Sequence, residues 1–312
     1  MRHLAREKNN PMSDNKRFEV EWTFDFEKVG DRIKRSLEGI VGEVEAKTDH
    51  YSAPADSASM ARVELYPSVG TTTIKTQSEM ANAFEADITY VGEIEFSASG
   101  DDIKHIKLAQ KTSLEAIGQS IKRGLGAVVK GGQDLKWDIR LSETLPLELK
   151  VDGGVGPATI DLSAAQLRGL SLEGGVGETH LTLPAMPDLY HVDLDGGVGR
   201  TNVTIPKEAM VNLKVDGGVG GVQVKILEGA HVNMEIQGGI GEIKIELPAE
   251  AAASVTASGG LGSVSVPARL VRVSAEDGLI GRGGTWETPN FAASENKISI
   301  HYEGGVGQLI VR

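Results

Sequence analysis

LKVDGGVGPATIDLSAAQLRGLSLEGGVGETHLTL, residues 149–183, writes one phrase twice. Each copy runs from alternating aliphatic and polar residues into Gly-Gly-aliphatic-Gly, then out into alternation again. The phrase recurs through the second half of the chain. Its glycines are Gly153, Gly154 and Gly156; Gly174, Gly175 and Gly177; Gly196, Gly197 and Gly199; and Gly217, Gly218 and Gly220. They continue at Gly238, Gly239 and Gly241; Gly259, Gly260 and Gly262; and Gly304, Gly305 and Gly307. The first six copies follow one another at 21 or 22 residues, and the seventh comes two periods and three residues later. A fixed period of this length marks stacked supersecondary units, each too small to bury an apolar face alone.

Aligning the copies on their first glycine exposes the columns of the stack. Two residues earlier stand Val151, Leu172, Leu194, Val215, Ile236, Ala257 and Tyr302; four earlier stand Leu149, Leu170, Val192, Leu213, Met234, Val255 and Ile300. Seven residues later come Ile160, Leu181, Val203, Val224, Ile245, Val266 and Val311. The residues between are mostly polar, so each flank reads as a half-buried strand. Pro184, Pro206 and Pro248 open the return segments, where a residue without an N–H ends a ladder. To keep every aliphatic column inward, successive units must pair in parallel. The expected fold is all-β: a parallel β-solenoid with coils of about 21 residues, turning at the glycines. Val155, Val176, Val198 and Val219 are expected to lie one over the next along its aliphatic spine.

Upstream the phrase weakens. SVGTTTIKT (68–76) and YVGEIEFSA (90–98) each place Val-Gly before an alternating strand and read as two early coils. Residues 24–45 read as a short amphipathic helix whose apolar face carries Phe26, Val29, Ile33, Leu37 and Ile40. Six acids against four bases on it give no attraction to an anionic membrane, so its expected duty is to cover the open end of the stack. The organisation that follows is a flexible N-terminus (1–23), the helix and a linker (24–57), an irregular part with the first coils (58–136), and the regular repeats (137–312). Between Gly262 and Gly304 there is room for one degenerate coil, around 277–284, and an insertion carrying Trp286.

Composition excludes several classes of function. A formal charge of -12 speaks against nucleic acid as a partner, whose binders need a basic surface. No stretch approaches 18 uninterrupted apolar residues, so no membrane span is expected. The polar first residues carry no secretory run, which makes the cytoplasm the expected location. Cysteine is absent, removing disulfides and thiolate metal sites.

No spacing points to catalysis, and no cofactor or metal is expected. The glycines are followed by strands, whereas a phosphate-binding loop needs a helix there, so they read as structural corners. The residue before each glycine pair forms an acidic column of Asp152, Glu173, Asp195, Asp216 and Glu303. Gln237 and Ser258 interrupt it, which favours turn residues bonded to their own backbone over a cation site. His180 and His191 read as solvated surface. The last coil has no helix after it, so Gln308, Leu309, Ile310 and Val311 read as an open strand edge for self-association.

WDIRLSETLPLELKVDGGVGPATIDLSAAQLRGLSLEGGVGETHLTLP (137–184) resembles the toast-rack and "putative-adhesin" β-solenoid domains of bacteria, which are LiaF-like. SVGTTTIKT with NAFEADITYVGEIEF, and the closing SENKISIHYEGGVGQLIVR, are similar to the two ends of the same group. The resemblance implies a non-catalytic scaffold or protein-interaction module in envelope-stress signalling, bound to another protein or to itself. The alternative it implies is an adhesin-like or glycan-binding surface module.

Overall fold

Residues 46–111, 134–277 and 282–312 are described by the computed structural model. Every regular element among them is a strand, and the strands form one sheet of twelve and one of eleven. The amphipathic helix expected over 24–45 lies outside the described residues.

Each regular coil gives one strand to each sheet, with the glycine corner between. β8 (Leu147–Asp152) is followed by β9 (Ala158–Asp161), and β10 (Leu167–Glu173) by β11 (Val176–Thr182). β12 (Tyr190–Asp195) leads to β13 (Val198–Ile205), and β14 (Met210–Asp216) to β15 (Val219–Ile226). β16 (His231–Gln237) with β17 (Ile240–Glu246) completes the uninterrupted series. Successive coils pair in parallel and in register: Leu170 opposite Val192, Val192 opposite Leu213, Leu213 opposite Met234. Like therefore stacks on like, and Val151, Leu172, Leu194, Val215 and Ile236 are all buried against Ile160, Leu181, Val203, Val224 and Ile245.

The corners show why the phrase is written in glycine. An added Cβ on Gly175 would sit 1.8 Å from the carbonyl oxygen of Gly154 in the neighbouring coil. Gly220 has φ of +135°, and a Cβ there would lie 1.9 Å from the carbonyl oxygen of Gly199. Strands roughly 4.8 Å apart leave no space for a side chain between stacked corners.

Val155, Val176, Val198 and Val219 do lie on successive rungs. They are not part of the interior, however: Val176, Val198 and Val219 are exposed. Val155 precedes inward-facing Ile160 by an odd number of residues, and the pleat sends residues so spaced to opposite faces.

The last coils depart from sequence order. β18 (Ala252–Ser258) and β19 (Leu261–Ser265) come next along the chain, yet they do not stack on β16 and β17. That place is taken by the final coil, β22 (Lys297–Glu303) and β23 (Val306–Val311). β22 then pairs with β18, and β23 with β19, on its other side. The edge expected at Gln308, Leu309, Ile310 and Val311 is thus corrected: β23 has a strand on both sides, and Leu309 and Val311 are buried. The return after β17 carries the chain past one level, and the C-terminal coil fills the slot. The degenerate coil expected near 277–284 is also replaced. β20 (Val271–Asp277) and β21 (Arg282–Glu287) form an antiparallel pair, and β21 runs antiparallel to β18.

At the other pole, β2 (Met60–Tyr66) and β3 (Thr71–Gln77) make a coil beneath β8 and β9, with Val69 bridged to Val155. Outside it lie β6 (Ile103–Lys111) on β2 and β7 (Lys136–Ser142) on β3, both parallel. Then the direction reverses. β5 (Glu93–Ser99) closes on β6, β4 (Asn82–Tyr90) on β7, and β1 (Lys47–Pro54) on β4, all antiparallel. The segment 90–98 is therefore a reversed crossing between the sheets and not a coil, since the strands on either side of Gly92 both pair antiparallel to their neighbours. The linker reading of 48–57 is likewise corrected for its first part, because β1 carries Tyr51 and buried Ala53 toward the core. Half-buried Tyr51 and buried Ala53 alternate with exposed Ser52 and Pro54, as in a strand with one face on the core.

Candidate interaction surfaces

The outer face of the twelve-stranded sheet is built from outward residues of the coil strands. One column reads His191, Asn212, Asn233, Ser299 and Ser254 in stacking order. The next reads Asp193, Lys214, Glu235, His301 and Thr256, so charge alternates over its first three rungs. A concavity of about 610 Å³ opens over these two columns. Asn233 donates its Nδ2 to Asn212 Oδ1 at 3.1 Å, which fixes the amide ladder along the stack. Sequence order alone would have put Glu235 beside Thr256. The inserted coil brings His301 and Ser299 between them instead.

The corner is a second surface. Backbone bonds run from rung to rung: the N–H of Gly174 donates to the Asp195 carbonyl, that of Gly196 to Asp216, and that of Gly217 to Gln237. Two of the five acidic side chains, Glu173 and Asp216, turn to lysines. Lys150 Nζ lies 3.0 Å from Glu173 and Lys214 Nζ 2.9 Å from Asp216. Asp195 stands between Glu173 and Asp216. Burial, the Asp216 carboxylate and Glu173 push its carboxyl above the usual carboxylate range. Among the described residues no three His, Cys, Asp or Glu side chains converge to hold a metal ion. His180 is exposed and lies 3.4 Å from Glu178. The face Phe26, Val29, Ile33, Leu37 and Ile40 falls outside the described residues.

The strand edges are the third. Among the described residues β19 ends the eleven-stranded sheet and β20 ends the twelve-stranded one at the same pole. On inner rungs the carbonyl of the second corner glycine accepts from the next rung's aliphatic N–H: Gly218 from Ile240, Gly239 from Val306, Gly305 from Leu261. At Gly260 the ladder runs out of described strands. No helix of the described residues is long and apolar enough to cross a membrane.

Residues 40–204, more than half of the chain, match the family model described as the N-terminal domain of toast_rack, DUF2154. No curated protein is significantly similar to the chain. Among solved structures it is similar to a "putative cell adhesion protein" from Clostridium sporogenes, at 16% identity and a TM-score of 0.38. That likeness covers 86% of this chain and 99% of the other. A "putative adhesin" from Bacteroides fragilis is similar at 13% identity and a TM-score of 0.34, covering 88% of this chain and 100% of the other.

Proposed function

This chain belongs to the toast-rack family, and on that premise we propose that it is a non-catalytic scaffold that binds another protein. The observation that carries the reading is the concavity of about 610 Å³ on the twelve-stranded sheet. It presents amide, hydroxyl and charged groups from successive rungs at a fixed repeat. A parallel stack is stiff along that repeat, so a partner meets preordered hydrogen-bonding groups and little side-chain freedom is lost on binding. The setting we propose is bacterial envelope-stress signalling on the cytoplasmic side. Its assembly edge is β19, with sequence LGSVS, which lacks the charge or proline that usually blunts an exposed strand.

The test is capture of partners from the native organism, followed by reconstitution with the purified partner. Asn212→Lys with Asn233→Lys is expected to abolish that binding while leaving the fold intact. Glycan-array binding with no protein partner would instead favour the glycan-binding alternative, which the same amides and hydroxyls could serve. Sedimentation addresses the edge: Ser263→Lys with Ser265→Lys, both exposed on β19, is expected to remove a concentration-dependent dimer. A chain that stays monomeric at all concentrations overturns self-association through β19.

A further inference from the structure

Most of the large apolar side chains that the described residues leave exposed stand in one column. Val176, Val198, Val219, Ile240, Val306 and Leu261 follow one another on adjacent rungs, with exposures from 41% at Val198 to 60% at Leu261. Half-buried Val155 extends the column at its other end. Outward positions elsewhere on the coil strands are largely polar, whereas this one is aliphatic in every copy of the phrase. Seven rungs at roughly 4.8 Å make an apolar stripe about 29 Å long. Apolar stripes of that extent on a soluble surface mark contact sites.

Its surroundings select the occupant. The bare glycine pair separates the stripe from the acidic column Asp152, Glu173, Asp195, Asp216 and Glu303. A depression of about 420 Å³ is lined by Tyr66, Asp152, Val155, Val176 and Val198, so acids and aliphatics open onto one surface. Lys150 and Lys214 offset Glu173 and Asp216, and the rest of the column keeps the flank negative. On the far side Glu178 and Glu242 stand against one base, Arg200, and the remaining positions of that column are uncharged. The backbone under the stripe is already used: Val176 N–H donates to Gly154, Val198 N–H to Gly175 and Val219 N–H to Gly197. A strand laid along the column would find no partners there, so the occupant must satisfy its own backbone.

We propose that the corner column is a docking track for an amphipathic α-helix of a partner protein, its aliphatic stripe on the ladder and lysines or arginines over the acidic column. A helix advances about 5.4 Å per turn, so five turns, about 27 Å, match the length of the stripe, with a slip of about 0.6 Å per rung for its long side chains to take up. The charge pattern gives the helix its orientation and excludes an anionic membrane, which the acids repel. This surface is separate from the polar sheet face and does not depend on it.

The experiment uses the full chain and two synthetic helical peptides with the same leucine stripe, flanked by lysine in one and glutamate in the other. Fluorescence anisotropy should show binding of the lysine peptide alone, weakening as salt is raised. The variant Val198→Thr, Val219→Thr, Ile240→Thr keeps β-branched shapes and should bind that peptide roughly tenfold or more weakly. Asn212→Lys with Asn233→Lys should leave it unchanged, which separates this track from the sheet-face reading. Equal binding of both peptides, or no effect of the threonines, overturns the proposal. So does binding to phosphatidylglycerol vesicles in place of the peptide, or a dimer that the threonine variant dissolves. If the triple variant does not fold, the flank swap and its salt dependence on the unaltered chain still decide it.

Discussion

The two poles of the stack end in opposite ways. At the β1 and β5 end the chain reverses direction, and antiparallel strands close both sheets. Tyr51, Phe96 and Phe84 meet there from three strands, with ring centroids 5.2 Å and 6.1 Å apart. Tyr90 Oη donates to Asp49 at 2.6 Å, while Arg140 bonds Asp87 at 2.7 Å. The edge itself carries Lys47, Asp49 and His50 and a bulge at Pro54. At the β19 and β20 end the interior is closed by Trp286 with Arg272 over its ring, 5.4 Å from the centroid. Its edges expose Leu261, Val271 and Val273. One pole is finished with aromatic bulk and charge, and at the other, among the described residues, the last rung keeps one side unpaired. A stack that is blunted at one end only can pair through the other without growing into a filament.

This contrast can be broken by experiment. Phe84→Ala should cost about 3–5 kcal/mol, because a fully buried ring leaves a cavity. Trp286→Ala, half-exposed at the other pole, should cost about 1–2 kcal/mol. Urea unfolding checks both, and equal losses would erase the difference between the poles.

Leu309 and Val264 occupy the same inward column on neighbouring rungs. With β23 inside the stack, Leu309→Ala should cost about 2–5 kcal/mol and Val264→Ala about 1–2 kcal/mol. If the coils stacked in sequence order, Leu309 would sit on the terminal rung and the ranking in urea unfolding would reverse.

Gly220→Ala strains a positive φ and drives a methyl into the Gly199 carbonyl, for about 3 kcal/mol. Gly259, with φ of +65° and open space around it, should tolerate alanine for about 1 kcal/mol. Thermal unfolding of the pair measures how much of the corner requirement persists at the last rung.

The smallest expected effects are pH-dependent and opposite in sign. Hydrogen bonds from Arg140 and then His50 hold the Asp87 carboxyl below its ordinary range. A depressed carboxylate stabilises the fold above its unfolded pKa of about 3.9, and that stabilisation is lost as pH falls through the folded value. Asp87 is partly exposed, so the contribution is below about 1 kcal/mol. Asp195 is raised by burial first and by its carboxylate neighbours. Its proton therefore favours the fold at low pH, and that gain is lost as pH rises through the folded pKa. Unfolding midpoints between pH 3 and 7 should show Asp87→Asn with a flatter acid limb and Asp195→Asn stabilised near neutrality. The same slope in Asp87→Asn and the parent chain would remove Arg140 from the account of that pole.

Much of this was legible in the residues. The alternation around the glycine pairs names the buried columns, since a pleat has only two faces and one must be dry. The spacing names parallel stacking, and the family resemblance rests on the same phrase. The concave polar face could be anticipated only as a set of outward columns; the rung that carries His301 and Ser299 could not be placed.

The repeat by itself determined that rungs exist, what each buries and why each corner is glycine, because those are local demands of pleat and sterics. Only the tertiary structure decided which rung lies beside which. Copies with the same inward chemistry fit any neighbouring slot, so the order of the last coils follows from the path of the connecting segments. The outward turn of the corner aliphatics is likewise a matter of how the chain crosses between sheets, which the shared hydrophobicity of valine and isoleucine conceals.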